Sequence, residues 1–419
     1  MKLTNTLLVV ALTAASAVAQ TDRGPRQGPA NAGQPLPGLS SAERAAFEEA
    51  KEVFEELSTV EKGLGPRFNG DSCAGCHIHP SIGGSSPSVN PQIAMATRQG
   101  AQNFTPPFLT PNGPIRVARQ VGGPGRNGPG DGGVVALFTI KGRSDAGTCN
   151  AEQPSFDRTD SFRFRIPTPV FGLGLVEAIP DRVLRANFAS TANRRRQFGI
   201  QGRFNTSGND GTITRLGWKA QNKSLLMFSG EAYNVEQGVT NDLFPTERDE
   251  TPGCGTQTAP EDHEDLALFA VFMRLLDAPL AREPRTPEER QRFDGGRRTF
   301  DAIGCALCHT PTLRSGKSNI AALSEKPVHL FSDLALHNMG QGLADGISQG
   351  DAQGGDWRTA PLWGLGQRVF FLHDGRTSSL DEAITLHGSR GSEATQSADA
   401  YRRLPEQEKQ NLLDYLRSL

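Results

Sequence analysis

Apolar residues recur at helical spacing in several stretches of this chain. Ala46, Phe47, Ala50, Phe54 and Leu57 share one face of a helix that opens at Ser40-Ser41-Ala42-Glu43, a capping-box pattern. Leu266, Phe269, Ala270, Met273 and Leu276 predict an amphipathic helix over 265–277. Phe293 and Phe300 lie on another, where Thr286 caps, Pro287 takes the first helical position and Glu289 closes a second capping box. A terminal helix is expected over 404–419. The texture differs between these stretches. Residues 134–140 form a short apolar run of strand type, and Phe162-Arg163-Phe164-Arg165-Ile166 alternates as a half-buried strand until Pro167 stops it, so short β-hairpins are expected here. Residues 122–133 read as a Gly/Pro loop, and 20–39, rich in Pro, Gly, Gln and Asn, as a disordered leader.

The first nineteen residues read as a secretory signal. Lys2 supplies the charge, Leu7 to Val18 the apolar run and Ala17-Val18-Ala19 the small-residue cleavage site, so the mature chain is expected to start at Gln20. No later stretch approaches the roughly 20 apolar residues of a membrane span. The 44 Lys and Arg against 46 Asp and Glu are spread along the chain, which argues against a nucleic-acid partner. Arg194-Arg195-Arg196 is the tight basic run, read as a solvated helix face, the alternative being a run that docks an acidic redox partner or a haem propionate.

Six Cys and eight His carry the chemistry. Cys73-Ala74-Gly75-Cys76-His77 and Cys305-Ala306-Leu307-Cys308-His309 are two copies of C-x-x-C-H. In that pattern the thiols add across haem vinyl groups, and the adjacent His becomes the proximal iron ligand. Two C-x-x-C pairs could also hold zinc or form redox dithiols, but haem attachment requires the His that follows each pair and zinc does not. A helix, a loop and C-x-x-C-H are used twice, 232 residues apart, as in a two-haem cytochrome. The expected fold is mainly α: a haem domain over 40–260 with an inserted region of loops and short β-hairpins, then a second cytochrome-c-like haem domain over 261–419. Haem attachment to this motif takes place outside the bacterial cytoplasm. That agrees with the signal and points to a periplasmic or secreted protein. In such a compartment Cys149 and Cys254 are expected to form a disulfide, the alternative being two separate buried thiols.

Further segments carry a family resemblance. Trp357-Arg358-Thr359-Ala360-Pro361-Leu362-Trp363-Gly364-Leu365, Phe371-Leu372-His373-Asp374-Gly375-Arg376 and Leu380-Asp381-Glu382-Ala383-Ile384 resemble the C-terminal half of the bacterial di-haem cytochrome c peroxidase superfamily. They are most similar to its branch of di-haem oxidoreductases. Gly65-Pro66-Arg67-Phe68-Asn69, Gly172-Leu173-Gly174 and Gly217-Trp218-Lys219-Ala220-Gln221-Asn222 extend the similarity. In that superfamily the residue fourteen after the His of His-Asp-Gly is an axial ligand of the C-terminal haem. Counting from His373, that position is His387, so the resemblance implies a His309/His387 second haem. His373 is read as a hydrogen-bond partner of a haem propionate, with His337 and Met339 as outside candidates for ligation.

Near the first haem, His79 and Met95 are the possible distal ligands, and His79 is tethered too closely to His77 to reach round the porphyrin. The segment after His77 also lacks the distal His that peroxidatic relatives carry. An open first iron is therefore expected. For the proton-moving group there, Glu236 is the first choice and Glu231 the second, with Tyr233 a possible distal aromatic. Trp218 is the resemblance-based candidate for coupling the two haems. Relatives also bind calcium, although no acidic cage is visible in this sequence. Three function classes follow. One is a peroxidase fed by a small periplasmic donor such as a cytochrome c or a cupredoxin. The others are a haem oxidase or oxygenase acting on an organic or protein substrate, and a two-haem electron carrier.

Overall fold

The computed structural model describes residues 22–27, 31–121, 133–157, 159–245, 251, 253–254 and 263–419. The signal segment and nearly all of the expected 122–133 loop lie outside these residues. Helices supply most of the regular structure, joined by long irregular segments and strands of two to four residues.

Helix α1 (Ser41–Glu55) is capped by Ser40 with the reciprocal Glu43 bond in place, and it buries Phe47, Ala50 and Phe54. Leu57 falls beyond its end and is 47 % exposed. The short α2 (Cys73–Cys76) is the first C-x-x-C-H turn, and α3 (Gln92–Met95) follows it. The inserted region holds β1 (Arg67–Phe68), β2 (Val117–Gln120), β3 (Val134–Val135), β4 (Phe138–Thr139) and β5 (Phe162–Arg165). The single strand expected over 134–140 is split in two. β3 pairs with β2, which also pairs with β5, whereas β4 pairs with β1.

Five helices follow: α4 (Leu173–Glu177), α5 (Asp181–Ser190), α6 (Ala192–Gln197), α7 (Leu225–Gln237) and α8 (His263–Leu275). Helix α8 packs along α1, with Phe272 stacked on Phe47 at 5.5 Å and 4.5 Å from Phe54. The second motif follows α9 (Pro287–Ala302), where Thr286 caps as expected. Glu289 does not close that box; its carboxylate takes the Arg285 N–H and the Arg282 guanidinium instead. Two hairpins come next, β6 (Leu313–Arg314) with β7 (Pro327–Val328) and β8 (Leu336–Asn338) with β9 (Asp356–Arg358). The chain closes with α10 (Leu380–Leu386), α11 (Thr395–Arg402) and α12 (Glu406–Leu416). The expected terminal helix is therefore α12 alone, which starts after Pro405 and packs on α9.

Two sequence expectations are corrected. Part of the supposed disordered leader is anchored: Leu36 is 3 % exposed, Pro35 bridges to Leu276, and Asp22 pairs with Arg417 at 2.7 Å. The Arg194–196 run is not a solvated face. Arg194 pairs with Asp301, and Arg195, 2 % exposed, pairs with Asp333 across the Phe188 ring. One apolar cluster runs across the division expected after residue 260, joining Phe47, Phe54, Val176, Phe269, Leu313 and Trp363.

Candidate functional site

Each C-x-x-C-H motif lies in the wall of its own cavity. The first cavity, about 770 Å³, is lined by Cys73, Cys76 and His77, by Phe54 of α1, by Tyr233 and Glu236 of α7, and by Phe269 and Met273 of α8. The second, about 1380 Å³, is lined by Cys305, Cys308, His309 and His387, together with Trp218, Trp357, Arg358, Arg368 and His373. Both walls are mainly apolar, as a haem macrocycle requires.

Three imidazoles share one arrangement. His77 Nδ1 lies 3.1 Å from Gly84 O, His309 Nδ1 3.0 Å from Phe331 O, and His387 Nδ1 2.7 Å from Ala383 O. A carbonyl only accepts, so each Nδ1 carries the hydrogen and each Nε2 keeps its lone pair. Burial pushes His77 and His309 down to about 4 and lowers His387 as well, which favours the neutral, ligating form. Of the other candidates, Met339 lines the second cavity and two histidines are spent. His79 donates Nε2 to Gln367 O at 2.8 Å. His337 sits between carboxylates, Nε2 3.1 Å from Asp333 and Nδ1 2.9 Å from Glu393, which leaves no lone pair for iron; burial lowers its pKa, but Cys308 and Asp333 beside it more than offset that and raise it. Although Cys308, Asp333 and His337 cluster closely enough to hold a metal ion, the cysteine belongs to the haem motif and Asp333 is already paired with Arg195.

Charge in the second cavity also fits a haem. Arg358 bonds only backbone carbonyls, those of Gly217 and Thr359, and Arg368 has no side-chain partner among the described residues. Enclosure and mutual repulsion lower Arg358 to about 10, and enclosure alone does the same to Arg368. Two neighbouring guanidiniums facing a cavity without a carboxylate match two propionates. His373, lowered to about 4 by burial, stacks on Trp357 at 3.8 Å in the same wall.

Glu236 and Glu231 separate clearly. Glu236 lines the first cavity, close enough to raise both Cys73 and Cys76 after the larger effect of burial. Its backbone carbonyl accepts the N–H groups of Asn69 and Gly70 at 2.6 and 3.0 Å, which pins the end of α7 beside the motif. Glu231 is outside that lining and is engaged by Asn222, so the structure does not place it as a distal group. Tyr233 does line the first cavity, packed edge-on to Phe269 at 5.1 Å. Trp218 lies in the wall between the cavities. It lines the second and donates Nε1–H at 2.9 Å to Ile166 O, whose neighbour Pro167 lines the first.

Met95 is 1 % exposed and packs with Leu64 and Phe68 instead of lining the first cavity. The methionine that does line it among the described residues is Met273, which the sequence reading treated only as a core position of its helix. Its signal was present in the period of α8 but not its partner, because α8 reaches the first motif from almost 200 residues downstream.

The family described as "Di-haem oxidoreductase, putative peroxidase" matches residues 144–419. The chain belongs to this family. The matched span of the di-haem oxidoreductase includes the second motif, Trp218, Glu236 and His387, and it begins after the first motif. No curated protein matches the sequence. Among solved structures, the diheme peroxidase BthA from Burkholderia thailandensis is similar at 14 % identity, over 90 % of this chain and 86 % of that one, with a TM-score of 0.43. A MauG-like protein associated with microbial copper homeostasis is 18 % identical over 52 % of this chain and 77 % of that one, with a TM-score of 0.30. Hydrazine synthase from Kuenenia stuttgartiensis is 12 % identical over 99 % and 100 %, with a TM-score of 0.40.

Proposed function

We propose that this di-haem oxidoreductase is an exported c-type peroxidase, reducing hydrogen peroxide in the first cavity with electrons relayed through the second. The observation that carries the reading is the asymmetry of free imidazoles: His77 alone offers Nε2 in the first cavity, whereas His309 and His387 both do so in the second. In this reading Cys73 and Cys76 hold one haem covalently, and Cys305 and Cys308 the other. A haem with one protein ligand supplies an iron at which peroxide takes two electrons and two protons and leaves as two waters.

The protein's own part is to hold ligands and move protons. Gly84 O fixes the His77 tautomer. Glu236 shuttles a proton between the two peroxide oxygens. Phe54, Phe269 and Tyr233 exclude bulk water. Trp218 couples the two cavities through the Ile166–Pro167 backbone. The Cys149–Cys254 disulfide supports the oxidising compartment that the signal segment implies.

Absorption and electron paramagnetic resonance spectra of the diferric protein, followed by peroxide addition, test the proposal. One high-spin and one low-spin haem are expected, with peroxide turnover falling about 10²- to 10⁴-fold in Glu236→Gln while the resting spectrum is kept. Two low-spin haems inert to peroxide, with a methionine–iron band that Met273→Leu abolishes, would overturn it and assign an electron carrier.

A further inference from the structure

Beside the second motif, α5 and the β6–β7 hairpin enclose an open surface groove of about 1170 Å³, with Arg182 on one wall and Arg314 on the other. Arg182 and Arg185 stand on the exposed face of α5, and Arg314, Lys317 and Lys326 on the hairpin. None of the five forms an ion pair among the described residues. Asp181, at the start of α5, is already neutralised by Arg215. Glu325 is the one acid on the hairpin, so a chain with a net charge of −2 carries a strongly positive face here.

The groove is also wired to the second haem motif. Asn187, in its wall, donates Nδ2–H at 3.1 Å to Thr310 Oγ1, and Thr310 directly follows His309. One hydrogen bond and a short covalent stretch therefore link the surface to the candidate iron ligand. Arg195 reinforces the same floor by donating to Leu307 O at 2.8 Å, within the motif itself.

We propose that this groove is the docking surface for a small acidic redox protein that delivers electrons to the second haem. Positive charge steers an acidic partner to it and raises the association rate at low salt. The transfer moves one electron from donor to iron; the donor is oxidised by one equivalent, and no bond is made or broken. This inference rests on the proposed relay role of the second haem and adds the class of partner and its place of contact.

The test uses the diferric holoprotein without peroxide, so failure of the peroxidase reading and failure of the docking surface are distinguishable. The probe is flavodoxin hydroquinone, a small acidic flavoprotein of low potential, and the readout is the reduction rate of the low-spin haem in stopped flow. The rate is expected to fall with rising salt in the native protein. At low salt, Arg182→Glu/Arg314→Glu should slow it at least about tenfold and abolish or invert the salt dependence. A charge reversal on α1, Arg44→Glu, should leave it unchanged, and reduction by neutral photoreduced lumiflavin should be the same in all variants. The inference is overturned if the double reversal reacts as fast as the native protein, if lumiflavin is slowed to the same degree, or if a basic donor protein is preferred.

Discussion

Burial decides the behaviour of His373 more than its neighbours do. Its pKa is held at about 4 against an ordinary 6.5, so the native ring stays neutral where an unfolded chain would take a proton. The sign follows directly. Above pH 6.5 the ring costs nothing, and as pH falls from 6.5 towards 4 the unfolded state binds a proton that the folded state refuses, so stability declines. At pH 5 the loss from this residue is about 2 kcal/mol. His373→Phe, which keeps the stack on Trp357, should therefore flatten the difference between urea midpoints at pH 7 and pH 5. At the same scale, His387→Ala should turn the low-spin haem high-spin, read by paramagnetic resonance; an unchanged low-spin signal would remove His387 from the ligand set. The two motif histidines were legible in the sequence because C-x-x-C-H is local and rare. Only a counted offset within a family resemblance led to His387. Met273 and Arg195 were legible as residues and not in their roles, because those roles are set by contacts across more than a hundred positions.

Helix periodicity foretold α1, α8 and α9 within a few residues, because each buries a continuous stripe. It could not tell which helices would touch. That was decided by close backbone approaches such as Gly174, where an added Cβ would lie 2.0 Å from Arg274 O on α8. Gly174→Ala must push α4 away from α8, at about 1–3 kcal/mol. Since α8 carries Phe269 and Met273 into the first cavity, the variant should lower the thermal midpoint and perturb the first haem's spectrum more than the second's. Equal perturbation of both would show that α4 does not act through α8. A second element depends on residues that composition alone marks as disordered. Asp22 accepts the Leu380 N–H at 2.9 Å, adding to the Ser379 cap of α10, and pairs with Arg417. His387 is the C-cap of α10, so the leader helps to set the start of the element that positions the second ligand. Proline and glycine content could not reveal this, because single residues such as Asp22, Arg23 and Leu36 do the anchoring.

At the scale of the molecule, the two haem motifs do not define two independent halves. Phe269 and Met273, from the region expected to belong to the second domain, complete the first cavity, while Trp218, from the first, lines the second. The Cys149–Cys254 disulfide acts on this shared body. It joins residues 105 apart, and the loop it closes contains α4 to α7, and with them Trp218 and Glu236. A bridge over a loop of that length restricts the unfolded chain, and its loss costs about 2–5 kcal/mol. Both sulfurs sit in a secondary apolar cluster with Phe68, Phe138 and Phe156, away from the linings of the two haem cavities. Cys149→Ser/Cys254→Ser should therefore lower the denaturation midpoint of the whole molecule in one transition, while the folded variant keeps both haem spectra and its peroxide reactivity. If calorimetry instead resolved two transitions, with only the one attached to the first haem displaced, the motifs would mark separable domains after all, and the shared packing of α1 with α8 would be too weak to couple them.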